Sequence, residues 1–108
     1  MITALFGFGR AGKIHYHNLK DYNLEYVVEL IDVSEQINNA SYIDFNDKIS
    51  INQMLKQIDV AIITTPTSTH YQLIMLCLKN NVHVFVEKPI VDDYHRINKC
   101  FDLAEKNN

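Results

Sequence analysis

The apolar positions of this chain fall into two alternating periods. Ile2 to Phe6 and Tyr26 to Ile31 are short, nearly continuous runs rich in branched and aromatic residues, the pattern of strands buried on both faces. Between them, from Arg10 to about Lys20, the spacing turns helical, with Ile14, His17 or Asn18, and Leu19 assigned to the inward face. Ser34 to Asn39 reads as a short helix and Tyr42 to Phe45 as a brief strand. Ile51 to Ile58 then carries Met54, Leu55 and Ile58 at helical spacing, and Asp59 to Thr64 returns to a buried strand closed by Pro66. A helix from about Thr69 to Asn80, striped by Tyr71, Ile74, Met75 and Leu78, leads to a strand at Val82 to Val86 that Pro89 closes. The last helix runs from an N-cap at Asp92 to Lys106, with Ile97, Cys100, Phe101 and Ala104 facing inward.

Strands that alternate with helices through short loops imply an α/β domain, a doubly wound parallel sheet of about five strands covered on both faces by right-handed crossovers. A chain of 108 residues accommodates one such domain and no second. With 47% apolar and 21% charged residues it has the composition of a folded globular protein. A net charge of -3 without a basic run argues against nucleic acid or an anionic membrane as partner and favours a small molecule. The apolar N-terminal run meets glycine before a signal sequence could be completed, and no stretch approaches transmembrane length, so a cytoplasmic location is expected. Cys77 and Cys100 lie in helical apolar segments without metal-ligand spacing, and both read as core thiols. No histidine has metal-ligand company. His83 is expected in the core or half covered, and His17 and His95 at solvated helix positions.

The chain contains only three glycines, and they fall in Gly7-Phe8-Gly9-Arg10-Ala11-Gly12, a G-x-G-x-x-G match between a strand and a helix. In that context the first glycine permits a tight turn, the second lets the backbone approach a pyrophosphate, and the third packs helix on strand. Residues 7 to 12 are therefore predicted to cradle a dinucleotide at the helix N-terminus. Asp32, twenty residues beyond Gly12, is read as ending the second strand, where an acid accepts hydrogen bonds from the adenine-ribose hydroxyls. Its charge would repel a 2′-phosphate, and Val33-Ser34-Glu35 offers no arginine to neutralise one, so NAD is expected over NADP. An ordinary turn and an ordinary turn aspartate are the competing explanations.

Both prolines stand just past strand ends, on the edge where open α/β sheets bind ligands. Thr64-Thr65-Pro66-Thr67-Ser68-Thr69-His70, Glu87-Lys88-Pro89 and the extension of the glycine turn to His15 together resemble the N-terminal domain of the Gfo/Idh/MocA family, named for glucose-fructose oxidoreductase and inositol dehydrogenase. The resemblance covers essentially the whole chain. It implies a Rossmann-like fold and nicotinamide-dependent oxidation or reduction of a hydroxyl carbon in a sugar, sugar nucleotide or cyclitol. It implies Lys88 as the catalytic residue near the nicotinamide ribose and the reacting hydroxyl, its charge favouring a developing alkoxide. By the same resemblance Thr65 and Pro66 line the nicotinamide side, Glu87 orients its loop, Pro89 follows a cis bond, and His15 and His70 are second-tier site residues. The family's nucleotide-binding domain continues into a sixth strand and a substrate domain that this chain does not include. Turnover by the chain alone is thus not expected, and a homo-oligomer or a separately encoded substrate-domain partner is expected to cover Val82 to Val86. A non-catalytic NAD-binding sensor or regulatory module, or a decayed gene fragment, would account for the same sequence.

Overall fold

Strand β1 (Thr3–Phe6) sits at the centre of the sheet, and both of its faces are sealed: Ala4 and Phe6 point into one apolar cluster, Leu5 into the other. A computed structural model describes residues 1–88, 90–91 and 93–107, with Tyr94 described by its backbone alone. From β1 the chain runs through α1 (Arg10–Leu19), β2 (Leu24–Glu29), a single 3-10 turn at Ser34–Gln36, β3 (Ser41–Asp44), α2 (Lys48–Leu55), β4 (Val60–Ile63), α3 (Thr67–Lys79), β5 (His83–Val86) and α4 (Tyr94–Asn107). The five strands pair in the order β3-β2-β1-β4-β5, all parallel. The doubly wound α/β sheet expected from the sequence is the fold observed. The strand closure at Pro89 and the helix cap at Asp92 lie outside the described residues.

One face of the sheet carries α2, α3 and α4 over a cluster that includes Phe6, Val28, Met54, Ile63, Leu73 and Cys77. The other carries α1 and the 3-10 turn over Leu5, Phe8, Tyr16, Val27, Val33 and Ile37. Asp47 starts α2 by accepting a hydrogen bond from Ser50 N at 3.1 Å, two residues before Ile49, the first apolar position of that helix. Burial pushes the Cys77 thiol up to about 12, so this thiol stays protonated and unreactive at neutral pH. Both cysteines are free and buried. Among the described residues no group of histidines, cysteines and carboxylates could hold a metal ion, and no helix is long and apolar enough to cross a membrane.

Four placements differ from the sequence reading. In α1 the buried residues are Gly12 and Tyr16, while Ile14 is 56% exposed. Close packing of Gly12 fixes the inward face, which then repeats at Tyr16 and Leu19, and Ile14 falls on the far side of the helix at about 100° per residue. β2 ends at Glu29 instead of Ile31, and Leu30 and Ile31 lie exposed beyond it. Phe101 is 59% exposed, since α4 buries the stripe through Cys100 with Ile97 and Ala104 beside it, and Phe101 sits on the rim. His83 is exposed as well, because β5 is an edge strand.

Candidate functional site

Parallel strands in register bring four loops to one edge of the sheet. Phe6 pairs with Val28 and Ile63, and Ile63 pairs with Val86. The ladder continues one step beyond the strands: Gly7 N donates to Val28 O (2.8 Å), Thr64 N to Phe6 O (2.8 Å) and Glu87 N to Ile63 O (3.1 Å). Connections after β1 and β4 leave for opposite faces, so a crevice opens between them, as at the switch point of any open doubly wound sheet. A cleft of about 570 Å³ occupies that place, lined by Gly7, Gly9, Glu29, Leu30, Thr65 and Pro66 among others.

The three glycines have different tasks there. Gly7 has φ of 98°, and a Cβ on it would lie 2.7 Å from Thr64 Oγ1. A Cβ on Gly12 would collide with the Gly7 carbonyl oxygen, so α1 can approach β1 this closely only without a side chain. A Cβ on Gly9 would meet nothing within 4 Å. Packing therefore requires Gly7 and Gly12, whereas the bare backbone at Gly9 leaves open space over the cleft. Gly9 is also the N-cap of α1, without a side-chain cap and without an acid in the first turn. The first-turn amides and the positive end of the helix dipole thus remain available to an anion. A pyrophosphate fits this cradle. Arg10 and Ala11 are exposed in the same turn, while the Phe8 ring is buried edge-on against Tyr16 at 5.4 Å and leaves only backbone to the cleft.

The acid facing that cradle is Glu29. One carboxylate oxygen accepts from Phe8 N at 3.0 Å and the other from Leu30 N at 2.7 Å, which ties the end of β2 to the glycine turn and turns the chain out of the sheet. Asp32 does not end the strand; it is three residues further on, exposed and outside the lining of the cleft. Its carboxylate accepts from Ser34 Oγ (2.7 Å) and Ser34 N (2.9 Å), and these two bonds hold its carboxyl below the ordinary aspartate range. Sequence reasoning missed Glu29 by taking it as the interior of an apolar run to Ile31. A lone charge inside Tyr26-Val27-Val28-Glu29-Leu30 was the available signal for a strand end.

Beyond β4, Thr64 Oγ1 donates to Phe6 O at 2.9 Å and seats the Thr65-Pro66 loop beside the glycine turn. The Thr69 hydroxyl donates to Pro66 O (2.6 Å) and lies 2.7 Å from the Thr65 hydroxyl, fastening the first turn of α3. His70, 2% exposed, places Nε2 2.7 Å from Thr65 O and Nδ1 2.9 Å from Ile90 O. His15 Nε2 donates to Glu87 Oε1 at 2.6 Å, and its ring meets Phe85 edge-on at 5.8 Å. Lys88 is exposed one residue further along and, with Glu87, lies outside the cleft lining. The fold therefore gathers Gly7, Gly9, Thr65 and Pro66 around one cavity, puts His70 behind it and Glu87-Lys88 beside it, and leaves Asp32 at a distance.

The family model described as "Oxidoreductase family, NAD-binding Rossmann fold" matches residues 1–108. Myo-inositol 2-dehydrogenase of Thermotoga maritima is 28% identical over 98% of this chain and 33% of its own length. Biliverdin reductase A of Mus musculus is 31% identical over 94% of this chain and 35% of its own. Among solved structures, UDP-N-acetylglucosamine 3-dehydrogenase of Acidithiobacillus ferrooxidans superposes with a TM-score of 0.84 at 23% identity, covering 99% of this chain and 35% of that one. The chain thus spans about a third of the length of the curated relatives it matches.

Proposed function

The chain belongs to the oxidoreductase family with the NAD-binding Rossmann fold, and we propose that it is the cofactor-binding part of an NAD-dependent enzyme acting on a hydroxyl carbon of a sugar, sugar nucleotide or cyclitol. The observation that carries this reading is the open space at Gly9 above uncapped helix amides. Relatives named as an inositol dehydrogenase and a UDP-N-acetylglucosamine dehydrogenase support the substrate class.

Bound in this cleft, NAD supplies the acceptor for a hydride. Everything else falls to the residues of the chain. First-turn amides of α1 hold the pyrophosphate, and Gly9 admits it. Glu29 would accept from an adenine-ribose hydroxyl while retaining its bond to Phe8 N, and Asp32 would add a second, more distant negative charge beyond the end of β2. Two carboxylates and no arginine in Asp32-Val33-Ser34-Glu35 disfavour a 2′-phosphate. Thr65 and Pro66 border the nicotinamide half. Lys88 would lie by the reacting hydroxyl, where its ammonium group would stabilise the developing alkoxide while the proton passes to a base of the substrate-binding part. Substrate positioning and exclusion of water come from a further substrate-binding unit paired along the outer edge of β5, which among the described residues has β4 as its one neighbour. Lys88's exposure beside the cleft favours, as a second reading, an NAD-binding module without turnover.

Calorimetric titration tests the cofactor assignment. NAD and NADH should bind, NADP should bind at least about tenfold more weakly, and Glu29→Ala should narrow that gap more than Asp32→Ala. Equal affinity of the native chain for NAD and NADP would overturn the choice of cofactor.

A further inference from the structure

We propose that His15 and His70 are positioning residues for Lys88, gripping the segment around it from opposite faces of the sheet. The proposal rests on the reading of Lys88 given above. Among the described residues β5 has a strand on one side only, and its last ladder bond is Glu87 N to Ile63 O, so beyond Glu87 the described ladder gives no further support. Two imidazoles provide it. His15, on α1, donates to the Glu87 carboxylate at 2.6 Å, a contact between residues 72 apart in sequence, and the edge-on Phe85 ring fixes the plane of the donor. His70, on α3, stands between two carbonyls, Thr65 O on the Thr65-Pro66 loop and Ile90 O two residues past Lys88. With nitrogens on two sides of one rigid ring, histidine can span two loops in this way. A neutral ring donates to one carbonyl, an imidazolium to both.

Lys88 is thereby bracketed: the residue before it is tied to the helix that opens the phosphate cradle, and the carbonyl two residues after it lies 2.9 Å from the His70 ring on α3. A lysine stem is long and flexible, so where its ammonium group can reach depends on how firmly its backbone is held.

Amide exchange of the cofactor-free chain tests the grip directly. His15→Leu and Glu87→Leu should each speed exchange of the Glu87 amide, which donates to Ile63 O, about tenfold, with β1 and β2 unchanged, and Glu87→Gln, which keeps an acceptor, should restore much of the protection. The side chains of His15 and Glu87 are partly exposed, so these variants fold even where a change at the buried His70 does not. A second measurement separates positioning from mere structure. His15→Leu should weaken NADH binding about fivefold or more while leaving ADP-ribose, which lacks the nicotinamide, within about twofold. Unchanged exchange in both leucine variants overturns the proposal, as does an equal loss of NADH and ADP-ribose. Lys88→Met distinguishes the two readings: if it keeps the native preference for NADH over ADP-ribose, the role of Lys88 falls, while the exchange result still decides the grip of the histidines.

Discussion

The glycine turn and the segment after β5 stand two strands apart on the same edge of the sheet and are held in opposite ways. The turn is fixed by backbone packing: β1 has strands on both sides, Gly12 leaves room for the Gly7 carbonyl, and Thr64 Oγ1 sits where any side chain on Gly7 would go. The segment carrying Lys88 is fixed by side chains reaching in from α1 and α3, next to a strand paired on one side. A binding cradle made of packed backbone is preorganised as soon as the core forms, because moving it means opening the core. A loop held by two imidazoles yields to the loss of either hydrogen bond while the core stays intact. The anchoring half and the reacting half of the site thus differ in stiffness for reasons visible in the fold.

The sharpest way to break this comparison is to place a methyl group in the rigid half. Gly12→Ala drives a Cβ onto the Gly7 carbonyl and within 2.9 Å of Thr64 Oγ1, both part of the packed turn. It should cost about 3 kcal/mol of stability and abolish NAD binding together, read as a lower urea midpoint and a flat titration. A variant of native stability would show that the turn is looser than its packing implies. Next in size is Gly9→Ala, whose methyl meets nothing within 4 Å. Stability should change by no more than about 1 kcal/mol, the scale of an N-cap substitution, while NAD affinity falls at least about tenfold because the methyl occupies the space the pyrophosphate needs. Normal binding by this variant would show that the phosphates do not lie over Gly9.

The same contrast explains what could be read from the sequence. A cradle made of backbone leaves a local mark, since only glycine tolerates those contacts, and Gly7, Gly9 and Gly12 sit within six residues. The doubly wound parallel sheet followed from the alternation of buried runs with helices. Long-range side-chain ties leave no such mark: nothing near His15 points to Glu87, and nothing near His70 points to Ile90, so both histidines drew notice only through a family resemblance. Within α1, ranking residues by hydrophobicity selected Ile14, but the close approach at Gly12 had already set which face turns inward. At the end of β2, continuity of apolar residues outweighed one glutamate, although Leu30 and Ile31 prove to be exposed. The open edge at β5 was expected only through the family resemblance, because edge exposure is decided by sheet order and not by local composition.

The smallest expected effect separates the two acids on the ribose side. Asp32 belongs to neither half of the site in its bonding, for both its hydrogen bonds run to Ser34 within its own turn, whereas Glu29 is bound to the glycine turn itself. The Ser34 hydroxyl, and next the Ser34 amide, lower the Asp32 carboxyl from its ordinary 3.8. A carboxyl lowered in the folded state contributes its stabilisation fully above the unfolded value and loses it as the pH falls through the folded one. Acid titration followed at the Asp32 carboxyl carbon should therefore show a midpoint under 3.8, with Ser34→Ala moving it back toward that value. Because the carboxyl is fully exposed and both its bonds stay within its own turn, releasing that turn by Ser34→Ala at neutral pH should leave the amide exchange of Phe8 and Leu30 unaltered. Faster exchange of Phe8 in Ser34→Ala would mean that the two acids act as one unit, and the glycine turn would then extend its rigidity as far as Asp32.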